Sequence, residues 1–404
     1  LEAELLAWSP GTDGPVEGDV VLIPGALPDS GLGAWVPSLR GRFLLLGPPE
    51  PMCRAPQELE RWARPETVER IEQERREAST DFSRRFAAVG GRRALAALDT
   101  AGLAGLLTSR WSGGWGVNKV FNAPLPNTPA ADLSCEDYGM LYRMALADQS
   151  PRIRMEATSR ELGEVPQFNV IAELPGTELP DEYVILSAHL DSWHAGTGAT
   201  DNGTGTIMML EAMRILKQTY PNPRRTILVG HWGAEEMGLI GSRSFAEDHP
   251  EIMEGVQAVW NQDNGTWRID SIEGQAFLRA GEHISRWLAA VPTEITSHIH
   301  TDFPGEQHNS GSDHSSFICR GVPAFRFQSP YPEYRQYTWH TNRDTYDKIV
   351  FDDLAENATL AAMVAYMASE DPERVPRERA QLPINPRTGE PREWPQCGTA
   401  RRSY

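Results

Sequence analysis

At 404 residues and 44.9 kDa, the chain is long for one simple domain and comfortable for two. Its 40% hydrophobic and 23% charged residues, with 35 Gly and 31 Pro, exclude a disordered or collagen-like chain. No apolar run approaches the roughly 20 residues of a membrane helix, and a net charge of −18 excludes nucleic acid and anionic membranes, partners that need a positive field.

Lysine occurs only at Lys119, Lys217 and Lys348, so nearly all positive charge is arginine, a compositional bias rather than a functional signal. The chain opens Leu1-Glu2-Ala3 with neither Met nor the regions of a signal peptide, so an upstream segment is expected to be missing. Cys53, Cys135, Cys319 and Cys397 lack C-x-x-C spacing, which excludes a zinc knuckle or a thioredoxin-type pair. Up to two disulfides and buried thiols both stay open.

Taken in chain order, Asp19–Pro24 and Arg42–Leu46 read as strands, and a Glu/Arg-rich stretch from Pro65 to Val89 as a long helix. A second helix spans about Arg92 to Thr100, followed by an apolar segment Ala104–Thr108 and a Trp/Gly-rich patch from Trp111 to Gly116. Cys135 opens a short helix, and Arg152–Thr158 alternates like an edge strand. No His, Asp or Glu cluster at ligand spacing falls in this part, so residues 1–155 are expected to form a β-rich accessory domain with a helical insertion.

From about Val165 strands and helices alternate, the mark of an α/β sheet. Phe168–Glu173, Tyr183–His189, Arg225–Trp232 and Val256–Trp260 are the strands. Gly205–Tyr220, Ser242–Asp248 and Phe351–Ser369 are the helices, the first stopped by Pro221 and Pro223. Residues 156–372 are therefore expected to be the catalytic domain. Residues 373–404, rich in Pro and Arg, are expected to be a tail that lies along the surface or is disordered.

The chemistry-bearing residues lie in the second part. His189 in Ser-Ala-His-Leu-Asp-Ser ends a strand, where open α/β sheets place their sites. Asp191 stands two residues on, where it can orient that imidazole. Asp201 lies in the Gly-rich turn Asp-Asn-Gly-Thr-Gly before a helix, as a cap or as a carboxylate that bridges two metals. Glu235 and Glu236 end the next strand before Met237-Gly238, Asp263 ends the one after, and His340 lies in the polar loop Trp-His-Thr-Asn-Arg-Asp-Thr. Each has an ordinary structural explanation by itself. Together they are five hard oxygen and imidazole donors without Cys, plus a spare Glu, and such a set suits two Zn²⁺ ions.

The order His-x-Asp, Asp-Asn-Gly, Glu-Glu-Met-Gly, Asp and His-Thr-x-x-Asp-Thr resembles zinc peptidase family twenty-eight. The run from Asn169 to Trp193 is most similar to the plasma glutamate carboxypeptidase branch, and the upstream part resembles a protease-associated domain. This resemblance implies a phosphorylase/hydrolase-like α/β fold, a mixed central sheet with flanking helices. It implies two zinc ions, with Asp201 bridging, His189 and Asp263 completing one and Glu236 and His340 the other. Glu235 would be the general base acting on zinc-activated water, whose pKa falls from 15.7 toward ~7, and Asp191 the orienter of His189.

The implied function is an exopeptidase of secreted or periplasmic location that hydrolyses short peptides or dipeptides. Carboxypeptidase or dipeptidase action comes first, aminopeptidase action second, and a homodimer stays open. Glutaminyl cyclases use one zinc on this fold, and transferrin receptors keep an incomplete ligand set; a complete five-ligand set argues against both.

Some positions depart from the pattern. His194 stands where that branch more often carries an acid, and Trp339 where some relatives carry a Tyr that assists the oxyanion; Tyr337 or Tyr346 could substitute. The segment Ser310-Gly-Ser-Asp-His-Ser315 resembles an aminopeptidase loop, which makes Asp313 and His314 candidates for supporting the metal ligands or contacting substrate, with a structural turn as the alternative. Trp111 and Trp115 are substrate contacts or packing residues. The sequons at Asn202, Asn264 and Asn357 include two on the metal motif itself, and these two read as chance matches.

Overall fold

The computed structural model describes residues 1–26, 31–308, 311–330 and 334–401, and these form two compact units. The first comprises Leu1–Gly163 with Trp193–Thr197 and Arg335–Asp344; the second comprises Glu164–Ser192, Gly198–Tyr334 and Thr345–Tyr404.

In the first unit, strands β1 (Ala3–Leu5), β2 (Val16–Leu22), β3 (Phe43–Leu45), β4 (Gly105–Thr108), β5 (Ala130–Leu133) and β6 (Arg152–Met155) form one sheet. Their order is β1-β5-β4-β3-β2-β6, with the four central strands parallel and the two edge strands antiparallel to their neighbours. Its helices are α1 (Leu32–Ser38), α2 (Pro56–Trp62), α3 (Pro65–Ala88), α4 (Leu95–Asp99) and α5 (Cys135–Leu146).

Alternation along the strands divides the core of this unit. Leu44 and Leu106 join Trp35, Val89 and Leu98 in one cluster, while Phe43, Leu45 and Leu107 join Tyr138 and Leu141 of α5 in another. Because both faces are covered, β3 is a short all-apolar run and not an alternating one. Ser134 caps α5 by accepting the Asp137 N–H, and Cys53–Cys135 ties the start of that helix to the segment before α2.

The second unit holds β7 (Val170–Leu174), β8 (Leu179–His189), β9 (Arg225–Trp232), β10 (Val256–Gln262), β11 (Ser271–Glu273), β12 (His300–Asp302) and β13 (Ala324–Phe327). The main sheet runs β13-β10-β8-β9-β7; its first four strands are parallel and β7 is antiparallel at the edge. β11 and β12 make a separate parallel pair.

Its helices are α6 (Thr204–Thr219), α7 (Ile240–Asp248), α8 (Pro250–Gly255), α9 (Ala280–Leu288), α10 (Thr293–Thr296), α11 (His314–Ile318) and α12 (Phe351–Glu370). Val184, Ile185 and Leu186 of β8 are fully enclosed within one large core that includes residues of α6 and α12. At roughly 25 cal/mol per Å² of apolar surface removed from water, such a core is the main stabilising contribution.

The C-terminal tail lies along this unit. Ala380 N–H donates to the Ala276 carbonyl (2.8 Å) and the Trp394 indole to the Ile318 carbonyl (2.9 Å). Cys319–Cys397 fastens its end, so all four cysteines are in disulfides and none is a free thiol. None of the described helices is long and apolar enough to cross a membrane. Asn202, Asn264 and Asn357 are all buried, which leaves no room for a glycan at any of the three sequons.

The end of α12 is locked by Asp371, whose enclosed carboxylate accepts from His283 Nδ1 (3.2 Å), the Trp287 indole (2.8 Å), Arg286 (2.5 Å) and the Glu373 N–H (3.0 Å). Burial alone would raise its pKa, but these donors together hold it below the ordinary 3.8. A depressed folded pKa contributes stability that is present above the unfolded value and lost as pH falls through the folded one. Asp371→Asn should therefore flatten the acid limb, with a smaller drop in melting temperature between pH 5 and 3 than the wild type shows.

Candidate metal centre

Three adjacent parallel strands of the second unit, β10, β8 and β9, bring their C-terminal ends to one edge of the sheet. That is where an open α/β sheet presents a crevice. His189 ends β8 and is level with Trp232 on β9, so Glu235 and Glu236 follow in the turn just beyond. Asn261 pairs with Ser187, which carries Asp263 to the level of His189 on the other side.

His189 is almost fully buried, with Nε2 at 3.0 Å from Asp263 Oδ1 and 3.5 Å from Asp201 Oδ1. The ligand atoms of His189, Asp201 and Asp263 lie within 4.8 Å of one another, and so do those of His189, Glu235 and Glu236. This donor set of imidazole nitrogen and carboxylate oxygen, without sulfur, fits Zn²⁺.

The electrostatics say the same. Burial pushes Glu236 up to about 11, with Asp201 adding to the rise. Burial also raises Glu235 well above its usual range, against the pull of His189. Burial by itself would lower the His189 pKa, but Asp263 and Glu235 leave it well above 6.5. So many enclosed carboxylates need protons or a cation, and a divalent metal meets that need.

Asp201 owes its place to a tight turn. Gly198 takes φ 65° and its carbonyl accepts the Gly203 N–H (2.8 Å). Asn202 Nδ2 donates to the Gln262 carbonyl (2.9 Å), which ties this turn to β10. Gly205 is required here, because a Cβ would sit 2.3 Å from Asn202 Oδ1 and 2.7 Å from the Gln262 carbonyl. The Asp201–Asn202 peptide is cis.

Asp191 contacts both His189 and the turn that carries the two glutamates. The main-chain carbonyl of Asp191 is the nearer partner, at 3.0 Å from His189 Nδ1, while its Oδ1 is 3.7 Å away. Its carboxylate instead accepts the backbone N–H of Glu235 (2.9 Å) and of Glu236 (3.1 Å). One residue thus fixes the imidazole through its main chain and the two-glutamate turn through its side chain. Two residues after a strand end, the chain has turned enough to exchange these roles.

Asp313 and His314 are both fully enclosed, and His314 Nε2 donates to the His308 carbonyl (3.0 Å). Burial pushes Asp313 up to about 7 and His314 well below 6.5. Ser310, in the same loop, lies outside the described residues.

Tyr346 is 70% exposed, with its ring tilted against Phe351 at 5.5 Å, which leaves it on the surface. Tyr334 is buried beside Asp201, and its phenol is held well above 10 by burial and then by Asp201, Asp263 and Glu236. Nothing in the run Tyr334-Arg-Gln-Tyr337 distinguishes the two tyrosines by sequence.

His340 and Tyr337 belong to the first unit. His340 adopts φ 61°, its carbonyl accepts the Val120 N–H (2.8 Å), and its ring lies 4.0 Å from Trp339 and 4.7 Å from Phe121. Asn342 N–H donates to the Asn118 carbonyl (3.1 Å), and Asn118 N–H to Asn342 Oδ1 (3.0 Å), which laces this loop to residues 116–120. Tyr337 is half-buried. His194 Nε2 bonds the Leu5 carbonyl (2.8 Å). Trp111 and Trp115 donate their indole N–H groups to the Gly114 (2.9 Å) and Cys53 (2.7 Å) carbonyls.

Residues 169–365 match Peptidase family M28. Carboxypeptidase Q of Mus musculus is 28% identical over 254 residues, which are 63% of this chain and 52% of that protein. Leucine aminopeptidase 1 of Penicillium rubens is 30% identical over 220 residues, 50% of this chain and 56% of its own. The chain thus spans about half the length of these curated relatives.

Among solved structures, a peptidase M28 precursor from Shewanella amazonensis superposes with TM-score 0.66 at 23% identity, over 93% of this chain and 79% of that one. A zinc aminopeptidase from Bacillus subtilis does so with TM-score 0.55 at 18% identity, over 93% and 80%. At these identities the likeness establishes the fold, a mixed α/β sheet with flanking helices. With this sequence match, and with the fold and strand-end donors described above, residues 169–365 belong to peptidase family M28.

Proposed function

We propose that the chain is a zinc-dependent exopeptidase that hydrolyses short peptides or dipeptides. The observation that carries this reading is the clustering of His189, Asp201, Glu235, Glu236 and Asp263 at the ends of three neighbouring parallel strands. In this reading His189, Asp201 and Asp263 would hold one zinc ion, and Asp201, Glu236 and His340 a second. Zinc in such a set supplies Lewis-acid polarisation of a carbonyl and lowers the pKa of water.

The remaining work belongs to the protein's own groups. Glu235 accepts the proton of the attacking water at its carboxylate and returns it to the leaving amine. Asp191 fixes the tautomer of His189 by taking its Nδ1–H at the main-chain carbonyl, and its carboxylate holds Glu235 at the proper angle. The Tyr334 phenol, kept neutral by its surroundings, would donate its O–H to the Asp201 carboxylate and help hold it in place.

Carboxypeptidase or dipeptidase action is the first choice, supported by the similarity to Carboxypeptidase Q. The similarity to Leucine aminopeptidase 1 favours the opposite direction as the second. Two disulfides suit an oxidising compartment, so a secreted or periplasmic location is part of the proposal. The first unit would be a protease-associated-like domain that restricts access to short substrates.

The test joins metal analysis with a dipeptide panel in free, N-acetylated and C-amidated forms. Two zinc ions per chain with cleavage abolished by C-amidation supports the carboxypeptidase reading. Cleavage abolished by N-acetylation alone would turn the reading to an aminopeptidase. Absence of both zinc and turnover would overturn the exopeptidase reading.

A further inference from the structure

One pleat below the metal-bearing ends of β8, β9 and β10, the otherwise apolar core holds a line of polar side chains. The Trp232 indole N–H donates to Ser187 Oγ (2.8 Å), Ser187 O–H donates to Asn261 Oδ1 (2.6 Å), and Asn261 Nδ2 donates to Ser312 Oγ (2.8 Å). All four side chains are fully enclosed. Each donor meets one acceptor in a single direction, so the line is satisfied link by link, as a buried polar network must be.

Its path is specific. Ser187 stands two residues before His189 on β8, and Asn261 two residues before Asp263 on β10, so by the period of two each shares a face with its metal-bearing neighbour. Ser187 and Asn261 are direct cross-strand partners. On the other side, Ser187 pairs with Gly230 of β9. The indole of Trp232 lies back over that glycine, where any Cβ would be 2.3 Å from the ring. Gly230 is thus what lets Nε1 reach Ser187. Trp232 in turn begins the short segment that ends in Glu235 and Glu236.

A buried polar line in a core that apolar residues could fill costs desolvation and must fix a geometry to compensate. From these contacts we propose that Trp232, Ser187 and Asn261 are positioning residues of the metal centre. They lock the register of the three strands and with it the separation of His189, Asp263 and the Glu235–Glu236 turn. The inference rests on the zinc reading above and adds a role for residues that touch neither metal nor substrate.

The test is zinc affinity of the purified full chain, read by competition with a chromophoric chelator under conditions where each variant is folded by circular dichroism. Ser187→Ala is expected to weaken zinc binding about 10- to 100-fold, the range for lost outer-shell hydrogen bonds. Ser187→Thr, which keeps the hydroxyl, should restore most of it. Trp232→Phe removes only the indole donor; it should show the same direction and serves if Ser187→Ala fails to fold. Leu228→Ala, a core truncation on β9 outside the line, controls for destabilisation. Wild-type affinity in both Ser187→Ala and Trp232→Phe would overturn the proposal, as would an equal loss in Leu228→Ala. A wild-type protein that binds no zinc would instead remove the functional reading beneath it.

Discussion

Glu235→Gln is expected to lower kcat by about 10³-fold while zinc content stays at the wild-type level, since a positioned general base contributes roughly 10²–10⁴-fold. The substitution keeps the size of the side chain and the backbone N–H that donates to Asp191, so the turn should survive. What is lost is the group that takes a proton from water and returns it to the amine. Metal analysis beside steady-state kinetics checks the prediction. Zinc lost together with activity would mean that Glu235 is a ligand and Glu236 the base; unchanged turnover would remove Glu235 from the chemistry.

The second large effect concerns stability. Arg225 begins β9 with its side chain 1% exposed and bonds Glu182 through Nε (2.6 Å). Its guanidinium also donates to the Ser369 carbonyl (2.9 Å) and to those of Ala368 and Asp371, the unsatisfied acceptors at the end of α12. A planar fork of donors can serve a carboxylate and a helix terminus together, and an ammonium cannot. Arg225→Met should cost about 3 kcal/mol, because it strands these acceptors in the interior. That is a fall of roughly 6–12 °C in the melting temperature of a unit this size. Arg225→Lys should recover only part of it. A shift under 2 °C for the Met variant would mean that water replaces the guanidinium freely.

Individual elements show how far the sequence reaches. The strand Arg225–Trp232 is bounded alike by pattern and by structure, because eight enclosed residues between Pro223 and Gly233 leave no other reading. The helix expected over Pro65–Val89 spans Pro65–Ala88, its start set by Pro at the first turn. The donors were legible for a related reason. A His or Asp at the end of an apolar run breaks the pattern of a buried strand, and several such breaks in successive strands point to one edge of one sheet.

Roles were less legible than positions. That Asp191 presents its carbonyl to His189 and its carboxylate to the Glu235–Glu236 turn depends on how β8 and β9 leave the sheet side by side. Asp313 and His314 read as loop residues, yet α11 is packed into the core and encloses both. Tyr334 and Tyr337 are three residues apart and fall in different units, a division that local spacing cannot express.

By itself, then, the sequence determined the α/β alternation and the strand ends that bear donors, since periodicity and spacing within a few residues carry that information, while the family showed in the resemblance of its motifs. Tertiary structure alone decided which cysteines pair across 82 and 78 residues, which tyrosine lies beside Asp201, and that a line from Trp232 to Ser312 underlies the candidate metal ligands. Those outcomes depend on which distant segments the chain brings into contact, and loop closure of that length leaves no local mark in the sequence.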